Sequence, residues 1–194
     1  MTKIIGLTGG IGSGKTMVAN YMQSLGIPVY IADDEARKIM NTDEVVETVS
    51  SAFGKDIIEN KLVNREKLSN LVFNNPDKLQ KLNEIIHPLV KKHFDNWLKE
   101  HSDFPFVVKE AAILFESGSY KYCDSIIAIT SPIETRIQRV LERDKSSRED
   151  ILKRMQNQWT DEQRIAKSDF VIDNTSVKET YKQTDEILNL LKNQ

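Results

Sequence analysis

Gly9-Gly10-Ile11-Gly12-Ser13-Gly14-Lys15-Thr16 satisfies G-x-x-x-x-G-K-[ST], the pattern of a loop that cradles phosphates. Glycines let the backbone curl into conformations closed to residues with side chains, so successive N–H groups converge on phosphate oxygens. Lys15 is expected to reach the β- and γ-phosphates, and the Thr16 hydroxyl to take a place on Mg²⁺. The helix that begins here adds the positive end of its dipole. A nucleoside polyphosphate is therefore the expected ligand, with Gly10, Ile11, Gly12, Ser13, Gly14, Lys15, Thr16 and Met17 as its candidate contacts. A dinucleotide fingerprint is excluded, because no three glycines stand at G-x-G-x-x-G spacing.

A second group of chemistry-bearing residues is arginine. Arg136, Arg139, Arg143, Arg148, Arg154 and Arg164 fall in one late window, the first three at helical i, i+3, i+7 spacing. Ile137, Val140 and Leu141 mark the apolar side of that helix. Arg143-Asp144-Lys145-Ser146-Ser147-Arg148 interrupts the pattern before a second helix through Ile151, Leu152 and Met155. Two arginine-bearing helices around a polar turn suit a lid over a polyphosphate. The competing reading is a solvated face with carboxylate partners such as Glu142 and Glu149.

These groups need a frame, and the apolar runs supply one. Ile4–Leu7, Ile27–Ile31, Phe104–Val108, Ile126–Ile129 and Phe170–Ile172 read as five short buried strands alternating with helical stretches. That order predicts an α/β fold with a mainly parallel sheet. After the loop, Val18, Tyr21, Met22 and Leu25 lie on one helical face. Residues 33–103, between the second and third strands, are far longer than one crossover requires and read as an inserted helical domain. Within it, a helix is expected from Asp43 to near Gly54 and another after an Asn64 N-cap. A third should start at Asn75-Pro76-Asp77, and a further helical face follows a break at His87-Pro88. The expected organisation is a core of 1–32 with 104–135 and 166–194, the insertion 33–103 and a lid over 136–165.

Open parallel sheets bind ligands at the C-terminal ends of their strands. Asp33 lies just past the second strand, at the edge where the phosphate loop emerges, and can face an acceptor hydroxyl. It can also simply cap the following helix. Asp34 is expected to complement that helix's dipole. Asp173-Asn174 ends the last strand, where it can reach a nucleotide base or form an Asx turn.

Composition narrows the class. A formal net charge of −2 gives no general attraction to nucleic acid or anionic membrane. One cysteine, Cys123, permits no intrachain disulfide or cysteine-built zinc site, so the reducing cytoplasm is the expected compartment. No signal peptide and no membrane span is expected, since the first strand starts at once and no apolar run is long enough. A GTPase switch lacks support, because no aspartate stands three residues before a glycine and Asn60-Lys61 leads into Leu-Val. A motor ATPase would show an acidic residue after a long apolar strand, which only Glu110 approaches. A small-molecule kinase uses the loop, the insertion and the arginine helices together.

With those features in place, the chain resembles the dephospho-coenzyme A kinase family from Lys3 to the C-terminal helix. The resemblance rests on Ile5–Lys15, Ala32-Asp33 with Ala36-Arg37, His87-Pro88-Leu89 and Leu114-Phe115-Glu116, then on Arg139, Arg143-Asp144, Arg148-Glu149 and Val171-Ile172-Asp173-Asn174. It implies a P-loop kinase fold with a five-stranded mainly parallel sheet, an inserted helical substrate-binding domain and a helical lid. It also implies transfer of the ATP γ-phosphoryl group to the ribose 3′-hydroxyl of dephospho-coenzyme A. Asp33 matches the family's catalytic aspartate, and Lys15 and Arg139 join it as catalytic candidates. Arg143, Arg148 and Asn174 extend the ATP contacts, while Thr8, Asp33, His87, Leu89, Leu114, Phe115 and Glu116 are expected on the acceptor side. The family often has Asp where this chain has Ile31, and Asp-x-Pro-Leu-Leu where it has Glu110-Ala111-Ala112-Ile113-Leu114. The alternatives are a kinase of the same architecture acting on another hydroxyl, and an ATP-binding module without turnover. The sequence leaves monomer and small homo-oligomer equally open.

Overall fold

The computed structural model describes residues 2–73, 75–144 and 146–193. Its frame is a five-stranded, all-parallel sheet of β1 (Lys3–Gly9), β2 (Val29–Ile31), β5 (Phe106–Glu110), β6 (Ser125–Thr130) and β7 (Phe170–Asp173). The spatial order is β2-β5-β1-β6-β7, which puts β1 in the centre. Ile5 pairs with Val108 on one side and Ser125 on the other, and Leu7 with Glu110 and Ile127. The central strands β5, β1 and β6 are buried on both faces and need continuous apolar runs, which made them readable in the sequence. Two of the five strands start two residues later than expected, at Val29 and Phe106, and Phe104 is exposed.

Alternation along β1 sorts its side chains. Ile5 and Leu7 face a core shared with Val18 and Met22 of α1 (Lys15–Ser24) and Ile187, Leu188 and Leu191 of α9 (Val177–Lys192). Gly6 points the opposite way, where an added Cβ would lie 2.8 Å from Leu114 Cδ2. A second, smaller core joins Ile11 at the loop tip to Ile137 and Val140 of α6 (Ile133–Arg143) and Ile151 of α7 (Arg148–Gln156). The phosphate loop is thereby anchored from two sides. Between α6 and α7, Lys145 lies outside the described residues.

The chain divides into two compact units, one comprising the segments up to Ile31 and from His101 onward, the other Ala32–Glu100. The second holds α2 (Ala32–Met40), α3 (Asp43–Phe53), α4 (Arg65–Phe73) and α5 (Pro76–Glu100). Val45, Val49, Leu68, Val72, Leu82 and Ile86 form its own core. Asn64 and Asn75 start α4 and α5 with side-chain Oδ1 atoms that accept from the Lys67 and Lys78 amides, each at 3.0 Å. Two features differ from expectation. Residues 58–63 form a hairpin of β3 (Ile58–Glu59) and β4 (Leu62–Val63), turned by Asn60 and Lys61 at φ 50° and 66°. And α5 runs unbroken through His87-Pro88, because Leu82, Ile86 and Phe94 keep one buried face on both sides of the proline. Among the described residues, no helix is long and apolar enough to cross a membrane.

Candidate functional site

The phosphate loop links the C-terminal end of β1 to α1, as a strand–loop–helix turn must if it is to aim amides at an anion. Gly12 and Gly14 take φ of 76° and 98°, the left-handed region that glycine enters without a Cβ penalty. Both also lie against other elements, since a Cβ at Gly12 would meet the Arg136 carbonyl oxygen at 2.4 Å. Ser13 donates its amide to Gly10 O at 3.1 Å, and Met17 and Val18 donate theirs to Gly14 O. The amides of Gly12, Gly14 and Thr16 have no protein acceptor among the described residues. The first turn of α1 carries no acidic side chain. Lys15 Nζ donates to Gly9 O at 3.0 Å. A cation and unsatisfied amides at a helix N-terminus together make an anion site.

Other sequence-predicted nucleotide residues have a supporting role in the fold. Ile11 is buried, its amide donates to Gln158 Oε1 at 2.9 Å, and its carbonyl accepts from Arg136 Nε at 2.9 Å. Its side chain and both backbone groups are thus engaged within the protein, away from a ligand. Asn174 is 1% exposed, donates from Nδ2 to Ser13 O at 2.7 Å and accepts at Oδ1 from Thr180 Oγ1 at 3.0 Å. The side-chain amide expected near a base buckles the loop to α9. Ser13 is fully buried, and Met17 packs its side chain on the main core.

The arginines separate into two groups by burial. Arg136, 6% exposed, pairs with Asp161 at 3.1 Å, and Arg164, 1% exposed, bonds Glu116 at 3.2 Å and Asp161 at 3.4 Å. Burial pulls the Arg164 pKa down, and the Glu116 and Asp161 carboxylates pull it back up. Arg139 donates to Asn174 O at 2.9 Å and, at 3.4 Å, to the carbonyls of Gly12 and Ser13, so its charge stands beside the loop. Arg143 and Arg148 are more exposed and hold carboxylates instead. Arg143 pairs with Asp144 at 2.8 Å, and Arg148 grips Glu134 at 2.6 and 2.9 Å. These partners keep the Asp144 and Glu134 carboxyls below their ordinary pKa. The solvated-face reading named Glu142 and Glu149, but the carboxylates found are Glu116, Glu134, Asp144 and Asp161.

On the expected acceptor side, Thr8, Leu114 and Phe115 are buried, and Thr8 Oγ1 has no hydrogen-bond partner among the described residues. Phe115 stacks on Trp159 with ring centroids 4.9 Å apart. Glu116 Oε1 accepts from the Trp159 amide at 2.8 Å, while its buried Oε2 has no partner among the described residues. The helical unit holds the remaining candidates. Asp33 is exposed in the first turn of α2, one residue inside the helix and hence past the N-cap position. Asp34 pairs with Arg37 at 2.8 Å. Leu89 packs against that unit's core. His87 lies on another face of α5, with Leu79, Asn83 and Pro88 along an open groove of about 510 Å³. Partial desolvation lowers the His87 pKa. The sequence reading missed Gln158 and Arg136 as supports of the loop, and Arg164 as the partner of Glu116. Only Thr160-Asp161-Glu162-Gln163, a capping-box pattern realised at α8 (Asp161–Ile165), signalled structure there.

A phosphate loop leaving the central strand of a parallel sheet, with a lysine at the start of the next helix, defines a P-loop kinase fold. The family model for dephospho-CoA kinase matches residues 3–179. The dephospho-CoA kinase of Fusobacterium nucleatum is 43% identical over 174 residues, 89% of this chain and 90% of that one. A Thermus thermophilus crystal structure superposes with a TM-score of 0.88 at 30% identity, covering 97% of each chain. The dephospho-CoA kinase from Campylobacter jejuni gives 0.73 at 27% identity, covering 100% of this chain and 99% of that one. The chain belongs to the dephospho-CoA kinase family.

Proposed function

We propose that this protein transfers the γ-phosphoryl group of ATP to the ribose 3′-hydroxyl of dephospho-coenzyme A, giving coenzyme A and ADP. Family membership supports the acceptor and the reaction. The structural observation that carries the phosphoryl donor is the set of unsatisfied amides at Gly12, Gly14 and Thr16 beside Lys15. A polyphosphate offers these donors and the lysine stronger, charge-assisted acceptors than the Gly9 carbonyl does. Arg139 adds a fixed positive charge next to the loop, where charge shifts toward the leaving ADP.

Thr16 is exposed in the first turn of α1, so its hydroxyl fits one coordination position of a hard cation. Thr16 would hold magnesium there, and the ion would supply positive charge against the phosphates. Asp33 stands two residues beyond Ile31, the end of β2, and its carboxylate is assigned to orient the acceptor hydroxyl and take its proton. Phosphoryl transfer demands mostly alignment and charge compensation, which suits one carboxylate and a rigid loop. Arg148 and Arg143 can exchange these carboxylates for ATP phosphates at little cost, because solvent screens such surface pairs. His87, Leu89 and the Leu114–Glu116 segment are assigned to the acceptor side. The reducing cytoplasm suits the single free thiol of Cys123.

Coupled ADP release, measured with dephospho-coenzyme A, AMP and adenosine as acceptors, tests this reading. Selective turnover of dephospho-coenzyme A is expected. Preference for AMP or adenosine would make the protein a kinase of another hydroxyl, and no turnover with any acceptor would leave an ATP-binding module.

A further inference from the structure

Around the connection between α7 and α8, two buried arginines and two half-buried carboxylates form a continuous chain. Arg136 donates from Nε to Ile11 O in the phosphate loop and from Nη1 to Asp161 Oδ2. Asp161 Oδ1 accepts from Arg164 Nη1 at 3.4 Å, and Arg164 Nη2 donates to Glu116 Oε1 at 3.2 Å. Arg164 Nη1 also donates to the Trp159 carbonyl, and the Trp159 amide returns to Glu116 Oε1. One guanidinium therefore fixes both ends of a small clasp, the Trp159 backbone and the Glu116 carboxylate. The Phe115–Trp159 stack, with ring planes 3° apart, closes the apolar side of it. Two arginines against two carboxylates leave the cluster without net charge. Two polar atoms of the cluster, Glu116 Oε2 and the Arg164 Nε donor, are buried and have no partner among the described residues. A buried ionised carboxylate that leaves an oxygen unpaired is costly unless a donor arrives to fill it.

We propose that Arg164 is a positioning residue for the acceptor: it holds Glu116 by Oε1 so that Oε2 is presented to a hydrogen-bond donor of dephospho-coenzyme A. This rests on the assignment of the Leu114–Glu116 segment to the acceptor side. A lysine at 164 keeps the charge but has no planar fork to grip Glu116, Asp161 and the Trp159 carbonyl together. Arg136 serves the loop end of the same chain, so the two arginines support different substrates.

The test is steady-state kinetics of full-length Arg164→Lys, Glu116→Gln and the double variant, varying ATP and dephospho-coenzyme A separately. Arg164→Lys is expected to raise the acceptor KM about tenfold, the effect of one charge-assisted hydrogen bond, with the ATP KM changed less than about twofold. Glu116→Gln should shift the same constant, and the double variant should be no worse than the worse single, because both changes break one unit. Equal shifts in both KM values, or effects that multiply in the double variant, would overturn the proposal. Should Arg164→Lys fail to fold, Glu116→Gln is compared instead with Trp159→Phe, in which Phe preserves the stack and leaves Arg164 in place. In that pair only Glu116→Gln should raise the acceptor KM, and an equal rise from Trp159→Phe would overturn the assignment to the carboxylate. If Glu116→Gln raises the acceptor KM while Arg164→Lys leaves it unchanged, the acceptor-side assignment stands and the positioning role falls. If neither variant alters it, the acceptor-side assignment of Glu116 falls with it. Wild-type protein inert toward dephospho-coenzyme A would instead sink the proposed reaction.

Discussion

Gly14 holds two constraints at one atom. Its φ of 98° costs a side-chain-bearing residue about 1–2 kcal/mol. An added Cβ would also stand 1.9 Å from Asn174 Nδ2, the amide that buckles the loop. Gly14→Ala should therefore lose more than the backbone term alone, at least about 2 kcal/mol by urea unfolding. ATP affinity should fall with it, because Asn174 must move off Ser13. A variant with wild-type stability and nucleotide affinity would show that this loop geometry is not the one ATP meets. Asp33 offers a cleaner separation of roles. It stands inside the first turn of α2, so Asp33→Asn keeps size and polarity at a position where capping is not at stake. Loss of a general base typically costs ~10²–10⁴-fold in rate, and kcat at saturating substrates should fall into that range. Retention of more than about a tenth of wild-type kcat would remove Asp33 from proton transfer.

Elements were legible wherever burial was uniform along them. Each of the five sheet strands carries a run of apolar residues, and the α3, α4 and α9 stripes keep one helical period. Legibility failed where tertiary packing overrides a local signal. The β3–β4 hairpin has two-residue strands, too short for any alternation, and its turn uses Asn60-Lys61 where glycine would have announced it. Buried arginines defeat pattern reading altogether, because Arg136 and Arg164 look like surface charges until their carboxylates are placed. The proline in α5 misled in a third way. Pro88 gives no N–H to the Glu84 carbonyl, and a proline inside a helix costs about 3 kcal/mol. Helix α5 accepts that cost because Leu82, Ile86 and Phe94 are buried along one face across it. Pro88→Ala should then stabilise the protein by ~1–3 kcal/mol in urea unfolding and slow amide exchange in the middle of α5. Unchanged or lower stability would mean that the helix already relaxes around the proline by bending.

At the scale of the whole molecule, the insertion is also a connection. β2 and β5 are parallel neighbours, with Val29 opposite Val108 and Ile31 opposite Glu110. A parallel pair needs a crossover of about twelve residues, and the chain here supplies the entire unit Ala32–Glu100. That unit has its own core, built from residues that make no demand on phosphate chemistry. A kinase of a bare nucleoside needs no such addition, whereas an acceptor with a long arm gains from surface remote from the reacting hydroxyl. Binding energy from a remote part of a substrate can be used to align the reacting centre, so a truncated substrate loses kcat as well as affinity. AMP and adenosine carry the ribose but lack the pantetheine arm. Dephospho-coenzyme A should exceed both in kcat/KM by at least about a hundredfold, with part of the deficit in kcat at saturating acceptor. Free pantetheine added with adenosine should not restore the rate, because the arm acts through its covalent attachment. Initial rates of ADP release across acceptor concentrations separate the two constants. Equal kcat for AMP and dephospho-coenzyme A would confine the arm to ground-state binding, and equal kcat/KM would remove acceptor recognition from the helical unit.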